Sequence, residues 1–180
     1  MILVEQLNKS FETHKVIENI SFSIAEGQIV GLIGPNGSGK TTLIRLMNGI
    51  IGTNGGVIQI NGLSPNENGD DVRSFCGTMT ENAGLYEEMT GRDNLIFFDS
   101  LYLNLDRERI EELIHLFHLE PFIDRKVGTY STGMKKRLGL AKVLLHRPKI
   151  LFLDEPTNGL DPDGIRLVLS YLKRLNQEEN

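Results

Sequence analysis

Hydrophobic and polar residues alternate over much of the first sixty positions, as they do in half-buried β-strands. Three short runs show this pattern, at residues 2–7, 16–24 and 57–60. They are rich in Ile and Val, and the third is followed by Asn61-Gly62, a tight-turn signal. The sequence therefore predicts a β-rich amino-terminal region.

From about residue 91 the hydrophobic residues recur every three to four positions, which predicts amphipathic helices. One helix is predicted after Asp106 as N-cap, a second over residues 132–146, and a third from Asp161, with Pro162 at its first position. The predicted inward faces comprise Ile110, Leu113, Ile114 and Phe117 in the first, Leu138, Ala141 and Leu145 in the second, and Ile165, Val168, Leu169 and Leu172 in the third.

Two other apolar runs, at residues 28–34 and 150–154, are continuous rather than alternating. Continuous runs of this length predict strands buried on both faces. In a parallel sheet their carboxyl ends would face one crevice, where ligands bind. The sequence therefore predicts an α/β core, about residues 1–81 and 149–180, interrupted by a helical insert at about residues 82–148.

Composition narrows the class of protein. The 180 residues are 39% hydrophobic and 24% charged, typical of a soluble globular domain, and the net charge of −5 gives no general attraction to nucleic acid or anionic membranes. No run approaches the roughly 18 to 20 apolar residues of a membrane span, and the amino terminus lacks the pattern of a secretory signal. The single cysteine, Cys76, is predicted to be a buried apolar residue in a reducing cytosol.

The segment GPNGSGKTT, residues 34–42, fits the phosphate-loop pattern G-x-x-x-x-G-K-[ST]. Backbone amides of such a loop, and the start of the helix after it, attract phosphate oxygens. Lys40 can reach the β- and γ-phosphates, and Thr41 offers a hydroxyl to Mg²⁺. The predicted nucleotide-binding residues are Gly34, Pro35, Asn36, Gly37, Ser38, Gly39, Lys40, Thr41 and Thr42. The alternative is a glycine-rich turn that matches by chance.

Two carboxylates follow the apolar run at residues 150–153. Asp154 is placed to hold Mg²⁺ through water, and Glu155 is placed to deprotonate a water that attacks the γ-phosphate. The alternative is that both acids cap the turn before Pro156. A third motif, YSTGMKKRL at residues 130–138, puts small residues at the start of a basic helix, which suggests either a second anion site or ordinary capping.

The order of these three motifs resembles the ATPase subunit of an ATP-binding cassette (ABC) transporter, from about Met1 to Asn180. The resemblance implies a P-loop NTPase core with a mixed parallel sheet, an N-terminal antiparallel β subdomain and a helical insert subdomain. It also implies ATP and Mg²⁺ as cofactors, and ATP hydrolysis that drives export through a membrane permease. The expected location is cytoplasmic, on the inner face of the membrane, without nucleic acid as a partner. The Y-S-x-G-M form resembles the branch that exports drugs, antibiotics or bacteriocin-like peptides.

The resemblance further implies that two copies pair head to tail. The phosphate loop of one would face Ser131 and Gly133 of the other, and Asp161 would contact the partner. It makes Asp154 a ligand of the metal through water and Glu155 the general base.

Two residues and one missing histidine fit the pattern of the family less closely. Phe11 lies where the family stacks a ring under adenine, with core packing as the alternative. Glu81 stands where the family often has a glutamine; it would reach Mg²⁺ through water, or be a solvated loop acid. The family's γ-phosphate histidine would follow the helix at residues 162–175, and the sequence reaches Asn180 without it, which predicts a truncated domain. The alternatives are a nucleotide-binding module with little turnover and a soluble ABC ATPase without a transport role.

Overall fold

The computed structural model describes residues 1–80, 83–102 and 106–178. Strands β1 (Ile2–Phe11), β2 (His14–Ile24) and β3 (Gly55–Ile60) form an antiparallel sheet in the order β2-β1-β3. The predicted β-rich region is therefore confirmed, as is the turn after it. Ile60 and Leu63 exchange both backbone hydrogen bonds across Asn61 and Gly62, whose φ angles are 49° and 81°.

In the described part of the chain, the remaining elements are six α-helices, one 3₁₀ turn and two short strands. In chain order they are α1 (Lys40–Met47), α2 (Gly69–Phe75), β4 (Cys76–Met79), α3 (Gly91–Ser100), α4 (Arg107–Leu116), a 3₁₀ turn (Val127–Thr129), α5 (Thr132–Val143), β5 (Ile150–Leu153) and α6 (Pro162–Glu178). Strands β4 and β5 form a second, parallel sheet, so the chain has the predicted mixed α/β architecture. Within the described ranges, no helix is both long enough and apolar enough to cross a membrane.

The chain forms two compact units. The first contains residues 1–76 and the chain from Arg174 onward, and the second contains Gly77–Lys173. In the first unit the inward residues of the three-stranded sheet, such as Leu7 and Ile60, are fully buried, and α1 buries its apolar face. The division into a core and a helical insert at residues 82–148 stays a prediction.

The run at residues 28–34 is not the buried strand that the sequence predicts. The side chain of Ile33 is 95% exposed, and those of Ile29, Val30 and Leu32 are 61%, 58% and 50% exposed. A central strand needs a hydrogen-bonding neighbour on each side, and no residue in the described part of the chain pairs with this run. The phosphate loop is therefore preceded by an exposed apolar segment.

The helices of the second unit follow their predicted patterns. The Asp106 carboxylate accepts a hydrogen bond from the backbone N–H of Arg109 at 2.9 Å, which confirms Asp106 as the N-cap of α4. All the residues predicted to face inward from α4 and α5 are buried. Strand β5 is less buried than predicted, because only Phe152 among its residues lies fully inside.

Helix α6 confirms its predicted start but differs on its apolar face. The Asp161 carboxylate accepts a hydrogen bond from the N–H of Gly164 at 2.7 Å. Val168 and Tyr171 are buried, whereas Leu169 is 48% exposed, so the prediction for Leu169 is wrong. Adjacent residues of a helix point about 100° apart, and Val168 occupies the inward direction.

Cys76 is buried, as predicted, and burial raises the pKa of its thiol to about 12. At pH 8 an unfolded cysteine with a pKa of about 8.5 is roughly a quarter thiolate, the reactive form. We expect the native thiol to react with a disulfide reagent at least about 100-fold more slowly than the thiol of the denatured protein. A colorimetric thiol assay with and without denaturant measures both rates, and equal rates would contradict the burial of Cys76.

Candidate functional site

The phosphate-loop segment forms a tight turn that leads into α1. The N–H of Ser38 donates a hydrogen bond to the carbonyl of Pro35 at 3.2 Å, and Gly39 is the N-cap residue of the helix. Gly37 and Gly39 have φ angles of 81° and 91°, a conformation that favours glycine. A Cβ at Gly39 would also lie 3.1 Å from the backbone oxygen of Val16. These glycines therefore allow the backbone N–H groups to gather at the start of α1.

The start of α1 is electrostatically positive. Its first turn contains no acidic residue, so the positive end of the helix dipole is not neutralised there. The Lys40 ammonium donates hydrogen bonds to the carbonyls of Gly34 at 2.8 Å and Pro35 at 2.9 Å. These bonds hold a full positive charge over the loop backbone, and Thr41 and Thr42 lie beside it in the first turn. The loop and the helix together can bind a phosphate group.

Asp154 and Glu155 follow β5 in the second unit and differ in their surroundings. Asp154 is buried, and its N–H donates to the carbonyl of Met79 at 2.8 Å, which continues the pairing of β5 with β4. Glu155 is exposed and has a φ angle of 49°. This left-handed conformation costs a residue with a side chain about 1 to 3 kcal/mol. The Glu155 carboxylate accepts a hydrogen bond from the Asn158 amide at 3.0 Å and otherwise faces solvent.

A groove of about 450 Å³ lies between the start of α5 and the loop before α6. Ser131 is the N-cap of α5, where its hydroxyl accepts a hydrogen bond from the N–H of Met134 at 3.3 Å. The first turn of α5 contains no acidic residue, so this helix start is also positive. The groove is lined by Ser131, Thr132, Gly133, Met134, Arg137, Gly159, Leu160 and Asp161. The structure thus brings Ser131, Gly133 and Asp161 to one groove, while their predicted contacts with a partner copy stay a prediction.

The two less regular positions have different outcomes. Phe11 lies at the end of β1 with its ring 47% exposed and the Lys9 ammonium 4.9 Å from the ring centroid. This exposure argues against the core-packing alternative and leaves a ring face that can stack, while the role in binding adenine stays a prediction. Glu81 lies outside the described residues, so its predicted role also stays a prediction.

Sequence reasoning missed two basic residues of α5. The Arg137 guanidinium lies 3.6 Å from the Asp161 carboxylate, across the groove. The Lys136 side chain is only 5% exposed, and its ammonium donates a hydrogen bond to the backbone carbonyl of Glu155 at 3.1 Å. A signal was present, because three consecutive basic residues cannot all point outward from a packed helix.

Comparison with known proteins gives a consistent result. The family model described as "ABC transporter" matches residues 17–158. The ATP-binding protein YdbJ of Bacillus subtilis is 41% identical over 98% of this chain and 57% of its own length. The bacitracin transport ATP-binding protein BcrA of Bacillus licheniformis is 36% identical over 100% of this chain and 59% of its own length. The chain therefore spans less than two thirds of the curated relatives that it matches.

A solved structure gives the same assignment for the fold. A dimeric bacterial ABC transporter cassette superposes with a TM-score of 0.91 at 25% sequence identity, over 99% of this chain and 84% of that one. The matched family segment includes the phosphate loop, the Ser131–Gly133 motif and the Asp154–Glu155 pair. From its sequence, its motifs and its fold, the chain belongs to the ABC transporter family.

Proposed function

We propose that the protein is the ATP-binding and ATP-hydrolysing subunit of an ABC transporter, and that it acts as a pair of copies. One observation carries this proposal: the chain has two separate helix starts suited to anions, at α1 and at α5, and neither has an acidic residue in its first turn. The phosphate loop would bind the nucleotide of its own copy. Ser131 and Gly133 would contact the γ-phosphate held by the partner copy. The dimeric cassette with the same fold supports this arrangement.

We also propose that the protein binds Mg²⁺ together with ATP. The ion prefers oxygen ligands and usually keeps several waters while it binds one or two protein groups and the phosphates. The hydroxyl of Thr41 and the carboxylate of Asp154 would supply these protein oxygens, the second through water. The bound ion would neutralise negative charge on the β- and γ-phosphates. Among the described residues, no group of three or more acidic, histidine or cysteine side chains could hold a metal ion, so most other ligands would come from water and ATP.

Glu155 would act as the general base. Its carboxylate is exposed and accepts only one hydrogen bond among the described side chains, from Asn158, so oxygen lone pairs remain for a water molecule. A carboxylate that accepts a proton from water as it attacks the γ-phosphate performs general base catalysis. Phe11 would stack on adenine through its exposed ring face.

We further propose that ATP-driven pairing is coupled to export through a membrane permease. The relatives' names support this: two of them are bacitracin transport ATP-binding proteins, and one is a linearmycin resistance ATP-binding protein. The protein would then work in the cytoplasm, at the inner face of the membrane.

The groove at Ser131 and Gly133 provides the test. Gly133→Asp would place a carboxylate where the partner's γ-phosphate is expected, and the two negative charges would repel each other. We expect ATP hydrolysis to fall at least about tenfold while ATP affinity changes less than about twofold, because the phosphate loop is intact. Steady-state phosphate release and equilibrium binding of a fluorescent ATP analogue measure the two quantities.

The control is Ser170→Asp, which adds the same charge on the exposed surface of α6. For the pairing measurement, each substitution is combined with Glu155→Gln, which is expected to block hydrolysis. Sedimentation with ATP should then show pairing for the control and its loss for Gly133→Asp. Normal hydrolysis and normal pairing by Gly133→Asp would exclude the groove from the site.

A further inference from the structure

Lys136 is a buried cation with an unusual partner. It lies on the inward side of α5, and its ammonium donates to the backbone carbonyl of Glu155 rather than to a carboxylate. Taking an ammonium out of water is costly unless it is hydrogen-bonded, so the bond to the Glu155 carbonyl is expected to matter.

The residue that receives this bond has a strained backbone. Glu155 is one of the few residues other than glycine with a positive φ among those that the structure describes. Its carbonyl accepts two hydrogen bonds, from the Lys136 ammonium at 3.1 Å and from the N–H of Asn158 at 3.2 Å. Strained conformations of this kind persist only when the surroundings fix them. The two donors supply that constraint, one from helix α5 and the other from the turn that follows Glu155.

Helix α5 also contacts the other end of the loop that begins at Glu155, the segment 155–161. Arg137 lies 3.6 Å from the Asp161 carboxylate, so adjacent residues of α5 hold both ends of the segment 155–161. Between these ends, a Cβ on Gly159 would lie 2.7 Å from the Thr132 side chain, which shows how closely the loop and the start of α5 approach. Movement of α5 would therefore be transmitted to the backbone of Glu155.

From these contacts we infer that Lys136 is a positioning residue, which fixes the backbone of Glu155 so that the carboxylate is directed correctly for the chemical step. The inference rests on the proposed role of Glu155 as general base. Lys136 touches neither nucleotide nor water in this scheme. It links the helix whose start would contact the partner's nucleotide to the base that acts in its own copy, so pairing and hydrolysis would be coupled through one hydrogen bond.

The test compares three variants at Lys136. Lys136→Met keeps most of the length of the side chain and removes the donor, whereas Lys136→Arg and Lys136→Gln keep a donor. We expect Lys136→Met to lower kcat about tenfold or more with the KM and Kd for ATP changed less than about twofold, and at least one donor-bearing variant to recover most of kcat. Lys135→Met is the matched control, because Lys135 is the neighbouring residue and its ammonium pairs with Glu87 on the surface. We expect this control to retain wild-type kcat.

Thermal unfolding separates a positioning role from a general loss of stability. A fall in kcat that is proportional to a loss of folded protein, in Lys136→Met and in the donor-bearing variants alike, would overturn the inference. If Lys136→Met does not fold, Lys136→Arg is compared with an apolar variant that does fold, such as Lys136→Leu. A kcat that is high in Lys136→Arg and low in the apolar variant would support the positioning role. Equal kcat in Lys136→Arg and the apolar variant would also overturn the inference.

Glu155→Gln distinguishes this inference from the proposed function. If Glu155 is the base and Lys136 acts through it, Lys136→Met should lower kcat in the wild-type background and have little further effect in the Glu155→Gln background. If Glu155→Gln loses activity while Lys136→Met keeps the wild-type kcat, Glu155 remains the proposed general base and the role of Lys136 is rejected. Retained turnover in Glu155→Gln would reject the base itself.

Discussion

Glu155→Gln is expected to abolish most ATP hydrolysis and to leave ATP binding intact. The amide keeps the shape of the side chain and its hydrogen bond with Asn158, but it cannot accept a proton from water at neutral pH. General bases contribute about 10²- to 10⁴-fold to rate, so kcat should fall by a factor in that range. Phosphate release under saturating ATP measures this loss.

The same variant should accumulate an ATP-bound pair of copies, because binding would proceed while the step that ends pairing is blocked. Sedimentation with ATP, compared with ADP, measures the paired fraction. Asp163→Asn is the control, since it neutralises an exposed carboxylate in the first turn of α6 that lies 3.6 Å from the Arg166 guanidinium. Turnover by Glu155→Gln close to that of the control would remove Glu155 from the mechanism.

Lys40→Ala is expected to weaken ATP binding about 10- to 150-fold. Hydrogen bonds to charged groups contribute about 1.5 to 3 kcal/mol each, and every 1.4 kcal/mol is a factor of ten in Kd. The loop should keep its fold, because the carbonyl of Pro35 lies in an exposed residue and can take water in place of the ammonium. Isothermal titration with ATP, and with ADP and AMP, measures the loss; it should be smallest for AMP, which lacks the β- and γ-phosphates.

The control for Lys40→Ala is Arg45→Ala, which removes one positive charge from the exposed face near the end of the same helix. Both variants change the net charge equally, so a general effect of charge on an anionic ligand would appear in both. Equal ATP affinity in the two variants would argue that Lys40 does not contact phosphate.

Elements that depend on local interactions were predictable from the sequence. The strands before Gly62 show alternation over several residues and end in a turn that needs two left-handed residues. Helix α4 combines an N-cap at Asp106 with an apolar face of period 3.6. In each case the signal lies within about ten neighbouring residues, and burial of one face requires the pattern observed.

Predictions that depend on distant partners failed. The composition of residues 28–34 is that of a buried strand, but composition does not supply the neighbouring strands that would pair with it. The prediction that Leu169 is buried failed for a related reason. Val168 and Leu169 are both apolar and adjacent in α6, but only one of them can point inward.

The candidate site was predictable where chemistry fixes the spacing of residues. The phosphate loop needs glycine, lysine and threonine at set positions, so its residues could be named in advance. The role of Lys136 could not, since the sequence does not indicate which of three consecutive basic residues points inward. The left-handed backbone of Glu155 was likewise unpredictable, because a glutamate carries no preference for that conformation.

The exposed segment from Ile29 to Ile33 has a consequence for the colloidal behaviour of the chain. It is a short, uncharged run of β-branched and aliphatic residues, with free backbone donors and acceptors among the described part of the chain. Such a run can pair with an identical run from another molecule and start an intermolecular sheet. Glu26, Gln28 and Gly31 are the polar or flexible residues nearby that oppose this. This segment therefore favours association of the 180-residue chain, independently of how stable each unit is.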